Sequence, residues 1–332
     1  MAKMNFHVLI FSKDRALQLE ATLRSIHLVI QDARDASITV LFTTSADRYA
    51  AQYRYLMELF PQVKFVEQKN FQEDVWRILL GEHEAKKSAW INFFSKLNRH
   101  RLVGMYSFSE ILIRLLLKFG LKWGKLPIED LWESQYWLFS VDDCIFIKPF
   151  AFYQIVDAME KIPKSIGFSL RLGMNTNYCY MKNVAQKQPN FRHLNENILY
   201  FEWEHAEYDF GYPLEISSSI YRASTLLPLI LFLYFTTPNI LESKLASMSR
   251  WYASRFPYLL CFKSSVAFSI PLNKVQNDRP SNRFSANPRY SPETLATIFD
   301  EGKRIDLRPF MNFMPISSHQ EVELSFISIG HG

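Results

Sequence analysis

Asp142 and Asp143 stand side by side in "YWLFSVDDCIFIKPF", residues 136–150, where one apolar strand-like run ends and another begins. Two adjacent carboxylates repel each other, and neither is buried unpaired without a large cost or a raised pKa. The pair calls for a positive partner: an arginine, solvent or a divalent cation. Hard carboxylate oxygens suit Mg2+ or Mn2+, and a nucleotide diphosphate would complete the shell of such an ion. The ion then stabilises charge that builds on a leaving phosphate. The plain alternative is a solvated turn.

The surrounding elements decide where such a pair would sit. "FHVLIF" (6–11) reads as a buried strand ending at "SKDR". A helix with Leu19, Leu23, Ile26 and Ile30 on one face follows, and Ser12 or Asp14 is available as its N-cap. "ITVLF" (38–42) is a second strand. After "TTSAD" comes a helix with Tyr53, Leu56, Met57 and Phe60 on one stripe, then a third strand, "VKFVE" (63–67). This alternation predicts an α/β fold with a mostly parallel sheet flanked by helices. Ligands of such sheets lie beyond the carboxyl ends of the strands. "SKDR", "TTSAD" and "VDD" all fall there, so they should converge on one edge.

Residues 71–135 break the pattern and read as a helical insertion. Between Lys86 and Lys125 nine Lys/Arg face the single acid Glu110, interleaved with Trp90, Phe93 and Phe94. A solvated basic face explains this run; the sharper reading is a surface for anionic lipid or acceptor, a peripheral membrane contact through 86–125. "FAFYQIVDAM" looks like an amphipathic helix and "IGFSLRLG" like another strand. The last fifty residues are expected to wrap over the first sheet.

Composition limits the classes. The 332 residues are 48% apolar and 21% charged, which fits a globular fold rather than extensive disorder. Aromatic residues make up 15%, enough for a large core or a site that stacks on rings. A net charge of +5 allows an anionic ligand but does not argue for nucleic acid. Cys144, Cys179 and Cys261 are widely spaced and form no CxxC, which argues against a zinc site and a disulfide framework. The opening residues lack the pattern of a signal peptide, and the apolar run "LLPLILFLYF" (226–235) is too short to span a bilayer. The expected compartment is the cytoplasm, with membrane association at the inner face if 86–125 meets lipid. With ten glycines, the chain contains neither GxGxxG nor GxxxxGKS, and GxSxG and HExxH are also absent.

Several blocks resemble a known group. "VLIFSKDRALQLEATLRSI" is similar to the opening of bacterial GT-A fold glycosyltransferases, and "FSVDDCIFI" sits where that family carries its DxD-type metal motif. "FSLRLGMNTNYCY", "YDFGYPLEISSSIYR", "TPNILE" and "IPLNKVQ" resemble its downstream blocks in order and spacing. The resemblance implies a single GT-A-like domain over 1–332, with a nucleotide-binding half (1–150) and an acceptor-binding half with a C-terminal wrap (151–332). It implies a metal-dependent transfer of a sugar, hexosyltransferase-like and inverting, from a nucleotide-diphosphate donor to a glycan or lipid-linked acceptor in surface polysaccharide synthesis. Asp143 then matches the metal-binding aspartate, and Asp142 faces metal or ribose. Phe11, Ser12 and Arg15 match the nucleotide loop, Ser45 and Asp47 lie near base or ribose, and Arg171 is a cation for phosphate or acceptor. Two departures stand out. Val141 replaces the first acid of a strict DxD, and Ser217, Ser218 and Ser219 stand where an Asp-Gly pair is expected.

An inverting transfer needs a carboxylate to take the acceptor's proton. Glu242 in "PNILE" is the first candidate and Asp209, flanked by Tyr208, Phe210 and Tyr212, the second. Each also has a structural reading, Glu242 as the cap of a helix after Pro238 and Asp209 in an Asx-turn. His205 and His319 are candidate third metal ligands. Two other functions compete: a nucleotidyltransferase, which would normally show a glycine-rich loop after the first strand, and a non-catalytic nucleotide- or carbohydrate-binding protein.

Overall fold

The computed structural model describes residues 6–81, 134–275, 283–285 and 287–328. The chain starts with the expected alternation: β1 (Phe6–Lys13), α1 (Ala16–Val29), β2 (Ser37–Thr43), α2 (Asp47–Leu59), β3 (Lys64–Glu67) and α3 (Phe71–Leu79). Then come β4 (Tyr136–Val141), β5 (Cys144–Phe146), α4 (Phe152–Lys161), β6 (Ser165–Ser169), β7 (Tyr178–Cys179), β8 (Val184–Ala185) and β9 (Arg192–His193). The next elements are β10 (Ile198–Glu202), β11 (Ser218–Arg222), α5 (Ala223–Phe232), α6 (Pro238–Ser249), β12 (Tyr258–Phe262) and β13 (Ala267–Ser269). Helix α7 (Pro292–Asp300) and strands β14 (Lys303–Ile305) and β15 (Phe326–Ser328) finish the described chain.

Nine strands form one sheet in the order β3-β2-β1-β4-β11-β6-β12-β10-β9. The first four are parallel neighbours. β11 runs against both β4 and β6, and β10 runs against β12 and β9, while β6 and β12 are parallel. All strands except β11 and β10 therefore share one direction, and the sheet is mostly parallel, as the alternating pattern predicts.

Side-chain alternation builds a core on each face. Along β1, Val8 and Ile10 enter one apolar cluster with residues of α1, α2, α4 and α7. Leu9 and Phe11 enter the other, with residues of α3, α5 and α6. Both faces of a parallel strand are covered, which is why "FHVLIF" reads as a continuous apolar run. The run at 226–235 becomes the buried helix α5 with Pro228 inside it. Among the described residues no helix is long and apolar enough to cross a membrane.

The expected cap of α1 is not made. Arg15 is the N-cap residue and no side chain caps the helix. Ser12 instead donates to Asp142, and the Asp14 carboxylate accepts from the Ser45 backbone N–H at 2.7 Å. Asp14 has φ +54°, a left-handed conformation that Asp tolerates better than most residues. Of the predicted helical insertion, α3 covers its first residues; 82–133, including the basic segment 86–125, lie outside the described residues. The C-terminal residues pack on α1 and α2: Gln52 donates to Ala296 O (2.9 Å), and Arg24 donates to Ile305 O (2.6 Å).

Candidate active site

Asp142 and Asp143 form the turn between β4 and β5 at the carboxyl edge of the sheet. Asp142 is buried and accepts from Ser12 Oγ (2.9 Å) and from the Lys13 backbone N–H (3.2 Å), while Thr22 Oγ1 donates to its carbonyl at 2.8 Å. Arg15 supplies the positive partner. Its Nη1 reaches Asp142 Oδ1 at 3.1 Å and Asp143 Oδ2 at 3.3 Å. The rest of the guanidinium is held by Asn273: Nε donates to Oδ1 at 2.9 Å, and Nη2 donates to the backbone carbonyl. Arg15 is the guanidinium in ion-pair contact with both carboxylates, and Arg171, itself paired with Glu215, adds a second positive charge near Asp143. Burial pushes the Asp143 carboxyl up to about 6, with Arg15 pulling down and Asp142 pushing up.

A cavity of about 430 Å³ opens over this edge. Its walls include Phe11, Ser12, Arg15, Asp142, Asp143, Arg171, Asp209 and Glu242, so the structure gathers these candidates from both halves of the chain. Ser45 and Asp47 do not line it. Both side chains are exposed, and Thr43 and Gln68 line the corresponding wall instead. His205 is also exposed and outside the cavity. Of the three aromatic residues flanking Asp209, Tyr208 and Tyr212 line the opening, but Phe210 is fully buried in the core.

Next to Asp143, a second polar cluster is built around Arg171. Its Nη2 donates to Glu215 Oε2 at 2.9 Å, and its Nη1 donates to Ser269 Oγ and to His319 Nε2, both at 3.1 Å. His319 Nδ1 lies 3.1 Å from Ser318 Oγ. Both ring nitrogens are therefore engaged, and burial followed by Arg171 holds His319 well below the usual histidine range, in its neutral form. That arrangement departs from the third-ligand expectation. Among the described residues no three His, Cys, Asp or Glu side chains group as a metal site.

Glu215 was not visible as a site residue in the sequence. Its carboxylate accepts from Arg171 and from the Ser218 N–H (3.2 Å), and also from Ser217 N–H and Ser219 Oγ. The signal was a lone acid between Leu214 and Ile216, each 1% exposed: a charge in that position must be buried and must be paired. The serines at 217–219 thus supply donors to a neighbouring acid. Glu242, in α6, takes the adjacent amide. Its Oε2 accepts from Ile216 N–H at 3.3 Å and lies 3.5 Å from Ser217 Oγ. Thr237 caps this helix by accepting from the Ile240 N–H, so the expected cap role of Glu242 is filled by another residue. Burial raises the Glu242 carboxyl, Glu215 raises it further and Arg171 opposes both. Asp209 is held by Ser318 Oγ (3.0 Å) and by Cys179 and Gln186, each at 3.4 Å; burial raises its carboxyl and these donors oppose the rise.

Over 231 residues, 65% of its length, the chain is 23% identical to the bifunctional glycosyltransferase pgtA of Dictyostelium discoideum. That relative is a glycosyltransferase. The chain spans 24% of its length. No family model matches the chain. Among solved structures, S. aureus TarS superposes with a TM-score of 0.40 at 12% identity, over 78% of this chain and 35% of TarS. TarS 1–349 in complex with UDP-GlcNAc gives 0.39 at 12% identity, over 85% and 62%. Core-mannan synthase A of Aspergillus fumigatus, in an Mn/GDP form, gives 0.32 at 9% identity, over 89% and 83%.

Proposed function

We propose that this protein is a glycosyltransferase. It moves a sugar from a nucleotide-diphosphate donor to a hydroxyl of a glycan or lipid-linked acceptor, as in polysaccharide synthesis. The observation that carries the reading is one cavity lined both by an aspartate pair at the carboxyl end of a parallel strand and by further carboxylates, Asp209, Glu215 and Glu242. The sequence similarity to pgtA supports it. Residues 1–150 then serve the nucleotide and residues 151–332 most of the acceptor wall.

The donor set fits a divalent cation. Asp142 and Asp143 offer adjacent hard oxygens that Arg15, and an Arg171 shared with Glu215, only partly neutralise, and Mg2+ or Mn2+ would add positive charge there. Bound there, the ion supplies charge stabilisation for the departing diphosphate. Arg15 orients both carboxylates, and Ser12 and the Lys13 amide fix Asp142. Glu242, lining the same cavity, accepts the proton of the attacking hydroxyl in an inverting displacement. Its Oε2 is tied to Ile216 and Ser217, which fixes the carboxylate. Burial and then Glu215 raise its pKa, with Arg171 opposing, and a raised pKa makes it the readier proton acceptor. Asp209, to which Ser318, Cys179 and Gln186 donate, is the second candidate base.

One observation favours a second reading. Arg15 already spans both carboxylates, so a nucleotide could be bound without metal, as a non-catalytic binding protein would do. Donor hydrolysis and transfer, assayed with UDP-, GDP- and dTDP-sugars with Mn2+ and with EDTA, separate the two. Mn2+-dependent turnover that is lost in Asp143→Ala supports the transferase. Binding without turnover, indifferent to EDTA, supports the binding protein.

A further inference from the structure

The apolar stripe of α2 contains one residue that the stripe does not explain. Tyr53 stands with Leu56 and Phe60 on the buried face, and its ring stacks on Phe42 with centroids 4.6 Å apart. A phenylalanine would serve that packing equally well. The hydroxyl is used elsewhere, at the turn between β1 and α1. It accepts from the Arg15 backbone N–H at 3.4 Å and hydrogen-bonds to Ser12 Oγ. Proton counting fixes the direction of the second bond. Ser12 gives its one hydroxyl proton to Asp142 Oδ2, 2.9 Å away, so Ser12 Oγ receives the proton of Tyr53. One fully buried phenol therefore bridges the first and last residues of the turn from Ser12 to Arg15.

That turn is what holds Asp142. Ser12 Oγ and the Lys13 N–H both engage Oδ2, while Oδ1 faces the Arg15 Nη1 that also reaches Asp143 Oδ2. We propose that Tyr53 is a positioning residue for the cation site: its hydroxyl ties Ser12 to Arg15, so that Asp142 offers Oδ1, beside Asp143 Oδ2, to a divalent ion. The inference rests on the metal-dependent reading proposed above. The relay runs from the Arg15 N–H to Tyr53, from the Tyr53 O–H to Ser12 and from the Ser12 O–H to Asp142, and each link polarises the next. Outer partners of this kind orient metal ligands and typically carry about 10–100-fold of metal affinity. The turn also contains Asp14 at φ +54°, a left-handed residue that persists where its surroundings fix it. The Ser45 N–H holds Asp14 from the end of β2, and Tyr53 holds the residues on either side.

Calorimetric titration of the full chain with Mn2+, in saturating UDP, GDP or dTDP, tests the assignment alongside thermal melts of the same proteins. Tyr53→Phe keeps the ring on Phe42 and deletes the hydroxyl, and Mn2+ affinity should fall by about tenfold or more. Ser12→Ala should weaken Mn2+ as well. The double variant should bind little worse than Ser12→Ala alone, because the phenol acts through the serine. Phe42→Leu loosens the same packing without touching the hydroxyl; it should melt lower while Mn2+ affinity stays at the wild-type value. Wild-type Mn2+ affinity in Tyr53→Phe, fully additive losses in the double variant, or an equal loss in Phe42→Leu overturns the positioning role while the proposed function stands. If the wild type takes up no Mn2+ with any of the three nucleotides, the metal-dependent reading fails and this inference falls with it.

Discussion

A single guanidinium nitrogen, Nη1 of Arg15, lies 3.1 Å from Asp142 Oδ1 and 3.3 Å from Asp143 Oδ2. The arginine is the direct positive partner of both acids, and any metal would have to compete with it for the same oxygens.

Arg15→Met keeps the apolar stem and deletes the charge. Removing one partner of a buried ionic group costs on the order of 3–5 kcal/mol. The variant should melt well below wild type without metal and recover more than wild type when Mn2+ is added. Thermal melts with and without Mn2+ measure this. Equal Mn2+ stabilisation of both proteins would show that the carboxylates do not hold the ion.

Glu242→Gln should lower transfer by about 10²–10⁴-fold, the usual worth of a general base, with donor affinity near normal. Asp209→Asn should have the smaller effect. Steady-state kinetics on the two variants decide the matter: full transfer by Glu242→Gln and none by Asp209→Asn would exchange the roles.

Glu215→Ala strands Arg171 in a buried site and leaves the amides of Ser217 and Ser218 without their acceptor. A loss of about 3–5 kcal/mol of stability is expected, larger than for Glu215→Gln, which keeps an oxygen in place. Urea unfolding of the two variants provides the comparison, and equal losses would count against the ion pair.

His7 predicts an acid dependence of stability. It is buried in β1, stacked on Trp137 with ring centroids 4.3 Å apart, and its Nε2 lies 2.8 Å from Thr39 Oγ1. Burial, then Lys64, lowers its pKa from 6.5 to about 3. Below pH 6.5 the unfolded chain takes a proton that the native chain refuses, so stability falls as pH drops, until about 3. The slope approaches about 1.4 kcal/mol per pH unit, and above 6.5 the contribution is constant. His7→Phe should flatten this limb relative to wild type in urea titrations between pH 7 and 4.5. Parallel curves would mean that other groups set the acid limit.

The parallel half of the sheet was legible because each strand is apolar on both faces and each helix shows its stripe. The aspartate pair was legible because two acids at the end of a buried strand have few structural excuses. The partners of those acids were not. Arg15 depends on Asn273, which is remote in sequence, and Glu215 shows its importance only through the burial of its neighbours. Ser45 and Asp47 were misplaced for a different reason. They lie beyond β2, where nearness to a strand end does not say which way a side chain faces. Alternation from Leu41 would have pointed to Thr43.

The tie between Arg15 and Asn273 also bears on how the chain is made. A ribosome releases the aspartates and their arginine long before residue 273, and until then the guanidinium lacks the acceptors for its Nε and Nη2. A fragment ending before Asn273 therefore contains the whole acidic turn without the brace that aims its counter-ion. Truncation should be read accordingly: loss of nucleotide binding in a shortened chain would reflect an unbraced arginine even where the first sheet strands have folded.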